Sequence, residues 1–211
     1  MRTKTLLLTA ALAVAGAATS MAQVYSVNAV GYVNLTIGKG FSIIANPLKA
    51  ADNSVAAVIA APPENTVLYI FTNGKYKVDS FSSGSWDDGT ESILPGQGFF
   101  IRNQSDAAFT LTFVGEVMQG TLSTPIPAGF SLISSQVPQS GALDTDLGLA
   151  PGENDVVYQF VSATQKYAVD SFSGGTWDTD PVHPTVAVGE GFFYKNNNAA
   201  TTWNRTFSVN Q

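Results

Sequence analysis

Cysteine is absent from the sequence, so no disulfide, thiol nucleophile or thiolate metal ligand is available. Histidine occurs once, as His183 between Pro181 and Pro184, and nothing near it in sequence supplies a nucleophile or a second metal ligand. Basic residues are few, with 10 Lys and Arg against 16 Asp and Glu. They are also scattered. Phosphate backbones need a concentrated basic face, which excludes nucleic acid as a partner. The one long apolar run, Leu6 to Ala18 broken by Thr9 and Gly16, falls short of the roughly 20 residues that a membrane-spanning helix needs.

That run still carries information. Arg2 and Lys4 precede it and the small residues Ser20-Met21-Ala22 follow it, which is the pattern of a secretory signal peptide at 1–22, cut after Ala22. No transmembrane segment is expected after cleavage, and no cysteine stands near the cut to accept a lipid. Loss of Arg2 and Lys4 leaves eight basic residues facing sixteen acidic ones. An acidic exported chain of low charge density suits a surface open to water and to neutral polymers. Without disulfides its stability must come from burial, for which 13 Phe, 7 Tyr and 3 Trp supply large apolar side chains.

Internal similarity is the strongest signal. Gly40-Phe41-Ser42-Ile43-Ile44 recurs as Gly129-Phe130-Ser131-Leu132-Ile133, and Glu64, Asn65 and Tyr69 recur as Glu153, Asn154 and Tyr158, all at an offset of 89. Val78-Asp79-Ser80-Phe81-Ser82 and Trp86-Asp87 return as Val169-Asp170-Ser171-Phe172-Ser173 and Trp177-Asp178 at 91, as Lys75-Tyr76 do as Lys166-Tyr167. Gly96, Gly98, Phe99 and Phe100 return as Gly189, Gly191, Phe192 and Phe193 at 93, and Phe109, Thr112 and Phe113 as Trp203, Thr206 and Phe207 at 94. The offset grows only between blocks, so the insertions belong to loops and the blocks to structural elements. The first step falls where Thr72-Asn73-Gly74, a two-residue hairpin signal, is replaced by the longer Ser162-Ala163-Thr164-Gln165. The expected organisation is therefore a first module at 23–115 and a second at 116–211.

Within each copy the apolar period is two. Phe109, Leu111 and Phe113 alternate with threonines, and Tyr76 and Val78 with Lys75, Lys77 and Asp79. The expected fold is all-β: two tandem β-sandwich or jelly-roll-like modules from an internal duplication, each with a short helical segment. The helical segments are placed at Asn53 to Ala60, before Pro62-Pro63, and at Ala142 to Ala150, where Gly148 makes a weaker helix, so the element is expected to be a single turn or two.

Gly-Phe-Ser-Ile-Ile-Ala-Asn-Pro at 40–47, the Tyr69 strand, the Trp86 loop, Pro95-Gly96-Gln97-Gly98-Phe99-Phe100 and the alternating Phe109 strand follow one another in that order. This succession resembles the module of secreted two-copy β-sandwich repeat proteins of environmental Gram-negative bacteria, and the stretch Val24 to Val33 is similar to their N-terminal start. The resemblance implies architecture and carries over no catalytic residue. The second copy departs from it at Ser135-Gln136-Val137-Pro138, where the first has Asn46-Pro47, and at Glu190 for Gln97.

Candidate binding residues are Trp86 with Asp87 and Trp177 with Asp178, since an exposed indole stacks on a sugar face while a carboxylate bonds its hydroxyls. The alternative is that each Trp caps the core at a strand end and each Asp fixes a turn. Asp87, Asp88 and Glu91, with Asp178 and Asp180, have the chemistry of calcium ligands or of a glycosidase pair; their spacing matches neither, and turn acids on an acidic surface explain them. Gly96-Gln97-Gly98 and Gly189-Glu190-Gly191 precede strands rather than helices and so are not phosphate loops. A turn needing positive φ explains them. No catalytic residue, metal site or cofactor is expected. What recurs is turn glycines and strand aromatics, which points to an exported, non-enzymatic structural or interaction protein of the cell surface or extracellular matrix. Its expected partners are itself, by edge pairing of terminal strands such as Tyr25-Ser26-Val27-Asn28 and Phe207-Ser208-Val209-Asn210, or a surface polysaccharide bound through the Trp loops. A secreted hydrolase is a third reading.

Overall fold

The computed structural model describes residues 29–209, so the expected leader at 1–22 and the segment Tyr25 to Asn28 lie outside the described residues. The chain is all-β, made of several antiparallel sheets arranged as sandwiches. In the first half, β1 (Val30–Ile37) pairs with β7 (Phe109–Glu116). A five-stranded sheet is formed by β2 (Gly40–Ala45), β6 (Gly98–Asn103), β3 (Val67–Thr72), β4 (Lys75–Ser82) and β5 (Ser85–Trp86), in that spatial order. In the second half, β8 (Gly120–Ile126) pairs with β16 (Thr201–Phe207). The corresponding five-stranded order is β9 (Gly129–Ile133), β15 (Phe192–Asn196), β11 (Val156–Val161), β12 (Lys166–Ser173) and β13 (Thr176–Trp177). One extra pair joins β10 (Gly141–Ala142) to β14 (Thr185–Val186).

The period-two pattern sorts side chains between two environments. On β3, Leu68 and Ile70 face the first core with Ile37, Phe99, Ile101, Leu111 and Phe113, while Tyr69 and Phe71 face away from it. The second core is built likewise, around Val157, Phe192, Tyr194 and Trp203. Matched buried asparagines tie the β1–β7 and β8–β16 sheets to their five-stranded neighbours. Asn103 Nδ2 donates to Ile37 O (3.3 Å) and Ala107 O (2.8 Å), and Asn196 Nδ2 to Ile126 O (3.4 Å) and Ala199 O (2.9 Å). Each satisfies carbonyls that the strand ladders leave unpaired.

The Asn-Gly hairpin forms as its chemistry requires. Asn73 and Gly74 have φ of 53° and 74°, and Thr72 and Lys75 close the ladder. The helical segments are minimal. The first half has one helix of four residues, α1 (Val55–Val58). The weak helix expected between Ala142 and Ala150 is reduced to turns: Leu147 N donates to Ala142 O and Gly148 N to Asp144 O, and Gly148 lies at φ 72°. Glycine at positive φ ends helical winding. The last strand, β16, pairs with β8 along one edge, and β8 plays in the second half the part that β1 plays in the first; of the stretch Phe207 to Asn210, only Phe207 belongs to β16, and Asn210 lies outside the described residues.

Candidate functional site

The outer faces of the two five-stranded sheets, turned away from their own cores, are aromatic. The first offers Phe41, Tyr69, Phe71, Tyr76 and Phe100, and the second, at matched positions, Phe130, Tyr158, Phe160, Tyr167 and Phe193. These faces meet. Ile43, Phe100, Leu132 and Phe193 form a third buried cluster between the halves. This explains why Gly98 to Ile101 on β6 is buried on both sides, the expected consequence of an unbroken apolar run.

The joint is two-fold in its contacts. Ala45 N donates to Gly189 O at 2.8 Å, and its sequence match Ser134 N to Gly96 O at 3.0 Å. Ile44 forms a bridge with Glu190, and the matched Ile133 with Gln97. Phe71 lies edge-on to Phe193 with ring centres 5.3 Å apart, and Phe160 edge-on to Phe100 at 5.6 Å. Exchanging every residue for its match regenerates the contact, which defines an isologous interface, here within one chain. Gly96 and Gly189 supply the positive φ foreseen for these turns (93° and 74°), whereas Gly98 and Gly191 serve close approach between the halves.

Beyond the joint the sheets diverge, and among the clefts there two are walled by aromatic rings. The larger, of about 600 Å³, is walled by Phe41, Tyr69, Tyr76, Phe100, Phe160 and Tyr167. The smaller, of about 360 Å³, is walled by Phe130, Tyr158, Tyr167, Phe193, Phe71 and Tyr76, the matched set residue for residue. Both volumes fall in the range of roughly 300–1,000 Å³ typical of small-molecule sites. Tyr76 and Tyr167 stand at the mouths, 49% and 44% exposed. Burial raises both phenol pKa values above the ordinary tyrosine range, and the neighbouring Tyr76 raises that of Tyr167 further.

One loop breaks the symmetry. Gln165, in the loop two residues longer in the second half, also lines the larger cleft. Its side chain spans the joint as a peptide group would, accepting from Phe41 N and donating to Phe41 O, both at 2.9 Å. From the same loop Ser162 Oγ donates to Ser42 Oγ at 3.1 Å, while the matched Ser131 Oγ is buried without a partner among the described residues. The two-residue Asn-Gly turn is too short to reach it.

The sequence-derived candidates lie elsewhere. Trp86 and Trp177 are 8% and 1% exposed, inside their respective cores. Their indole N–H groups donate to Ile59 O and to Asp144 Oδ2, both at 2.8 Å, so neither indole face is open to a sugar. Asp87 and Asp178 are exposed next to them, and Asp178 Oδ1 accepts from Ser171 N. Asp88 and Glu91 share Lys77, whose Nζ lies 2.7 and 2.5 Å away, so this acid pair already holds a cation. His183 Nδ1 contacts Asp144 at 2.7 Å, and Asp144 is the acceptor of the buried Trp177 indole. The carboxylate thus serves packing as well as the imidazole. A trace of the aromatic set lies in the sequence as large apolar residues on both alternating faces of a strand, Tyr69 and Phe71 on one and Leu68 and Ile70 on the other. A strand half exposed to water does not spend four successive large apolar residues.

Compared with known proteins, the chain matches no family model, no curated protein and no solved structure.

Proposed function

We propose that the chain is an exported, non-enzymatic interaction protein of the cell surface or extracellular matrix, that its two tandem β-sandwich modules descend from an internal duplication, and that it engages ligand through the two aromatic clefts between them. The duplication is supported by the identical strand order of the five-stranded sheets and by the contact-for-contact symmetry of the joint. Export is supported by the leader-like composition of residues 1–22. The observation that carries the binding reading is the residue-for-residue equivalence of the cleft walls, with two tyrosine rings left half open at their mouths. Folding alone gains little from exposed aromatic rings, whereas recognition uses them. Non-catalytic action is supported by the lining, which holds neither a carboxylate nor an imidazole. Titration with the neutral fluorescent probe N-phenylnaphthylamine tests the reading. Binding is expected, and Tyr76→Ala combined with Tyr167→Ala is expected to weaken it by about tenfold or more. Absence of binding to the folded protein contradicts it.

Self-association is a second reading, favoured by a different surface. On the β1–β7 sheet Tyr32 and Val114 form a cross-strand pair, 73% and 59% exposed, beside Val30 at 69%. The equivalent outer face of β8–β16 presents Thr121, Ser123, Thr202 and Asn204 instead. Size-exclusion chromatography over a wide concentration range is expected to show a dimer that Tyr32→Lys disperses; a monomer at every concentration rules this reading out.

A further inference from the structure

Each cleft has one wall ring that carries a cation. The Arg102 guanidinium carbon stands 5.2 Å from the centre of the Phe41 ring, and Lys195 Nζ 5.7 Å from that of Phe130. Phe41 walls the larger cleft and Phe130 the smaller. Strand register fixes both placements, since Arg102 is the cross-strand partner of Phe41 and Lys195 that of Phe130. The two cations are thus sequence matches, like the rings beneath them.

Both cations lack a carboxylate partner among the described residues, as Lys75, Lys166 and Arg205 also do. Acids outnumber bases two to one past residue 22. Lys39 is paired with Asp106, and Lys77 with Asp88 and Glu91. A cation held over a ring keeps its outward hydrogen-bond donors available to an anion. Inside the larger cleft the one carboxamide is already committed, because Gln165 bonds the Phe41 backbone in both directions and also donates to Ser162 O. Sugars, which need many fixed polar contacts for their hydroxyls, find few here. Ring faces remain in each cleft, with one unneutralised cation against a wall ring, beside the lining rather than within it.

On the reading of these clefts as binding sites, we infer that each takes a flat aromatic anion. The rings enter between the Tyr and Phe walls, and the carboxylate or sulfonate group meets Arg102 in one cleft and Lys195 in the other. Two bound molecules per chain follow from the symmetry, with unequal affinities because Gln165 lines only the larger cleft.

The test uses two dyes of one aromatic skeleton, anilinonaphthalene sulfonate and neutral N-phenylnaphthylamine, titrated into the full chain at low salt. The sulfonate is expected to bind two per chain and about tenfold tighter than the neutral dye, the size of effect one charge-assisted hydrogen bond supplies. Arg102→Gln is expected to abolish that preference at one site and the further change Lys195→Gln at both, with the affinity of the neutral dye unchanged. Arg102→Lys, which keeps the charge, is expected to retain the preference and shows whether loss in Arg102→Gln reflects charge or packing. Equal affinities in the wild type, or a preference that survives in the double variant, overturn the inference and leave the clefts as neutral binding sites. Failure of both dyes to bind overturns it together with the reading on which it rests.

Discussion

A β-carbon on Gly191 would stand 3.1 Å from the Cα of Gly98. These two glycines hold matched positions on β15's approach and on β6, and they let the backbones of the two halves touch. Neither needs a left-handed conformation; the requirement is space.

Gly191→Ala puts a methyl group 3.0 Å from Ile44 O and 2.9 Å from Ile43 Cγ2. The first of these is backbone and moves only if the joint opens. A loss of about 1–3 kcal/mol is expected, the usual cost of forcing a methyl into a packed contact. Urea denaturation measures it, and a variant as stable as the wild type contradicts a joint this close.

Trp177→Phe separates architecture from recognition. It removes the indole bond to Asp144 and part of the volume of a side chain that is 1% exposed. Stability is expected to fall by about 1–3 kcal/mol, from the loss of one of the donors to Asp144 and from a small cavity. Dye affinity is expected to stay within about twofold of the wild type, a shift of less than 0.5 kcal/mol by the usual conversion. Lost binding in a folded variant would return the Trp loop to the functional site.

Glu190 and Asp144 are expected to give opposite pH responses. Burial raises the Glu190 pKa, partly offset by the Ala187 N–H and the Gln159 amide. Its protonated form is therefore favoured by folding, so the contribution is complete below the ordinary glutamate value and lost as pH rises through the folded-state value. Glu190→Gln, the residue found at the matched position 97, is expected to raise the melting temperature at neutral pH and to flatten its dependence on pH above the ordinary glutamate value. At Asp144 burial also pushes upward, but bonds from the Trp177 indole and His183 prevail and lower the pKa. That contribution is present above the ordinary aspartate value and lost as pH falls through the folded-state value. Asp144→Asn is expected to flatten the acid limb instead. Calorimetry across pH separates the two, and unchanged slopes count against both assignments.

Tyr194 is fully buried and its hydroxyl donates to Asp155 Oδ2 at 2.5 Å. Burial first, and the carboxylate second, push the phenol far above its ordinary range. Asp155 also accepts from Gly152 N and Asn197 N, each at 2.8 Å, so it organises the loops at that end of the second core. Tyr194→Phe is expected to cost about 1–3 kcal/mol, measured by thermal or urea unfolding, because one lone pair of a buried carboxylate loses its donor. The first half has Ile101 and Thr66 at the matched positions and no such network.

The all-β class was legible because local signals agree with tertiary demand. Alternation at Phe109, Leu111 and Phe113, the Asn73-Gly74 turn and the matched blocks each report on contacts within a few residues or on a strand with one wet face. The clefts were not legible, since they depend on which face of one sheet meets which face of another, and no local pattern encodes that. A trace existed in the unbroken run Phe99-Phe100-Ile101 and in Tyr69 and Phe71 alternating with Leu68 and Ile70. Recurring Trp86 and Trp177 drew attention instead because tryptophan serves cores and ligand sites equally well, and only burial separates the two roles. The weak helix expected after Ala142 is reduced to turns, with Gly148, the residue that weakened the expectation, at φ 72°.

The most direct measurement is a nuclear magnetic resonance titration of the isotope-labelled protein with N-phenylnaphthylamine. The largest amide shifts are expected on strands of both halves at once, around Tyr69, Tyr76 and Phe100 and around Tyr158, Tyr167 and Phe193, while the indole signals of Trp86 and Trp177 stay still. Shifts that centre on those indoles, or that fall within one half alone, would contradict a binding site formed between the two.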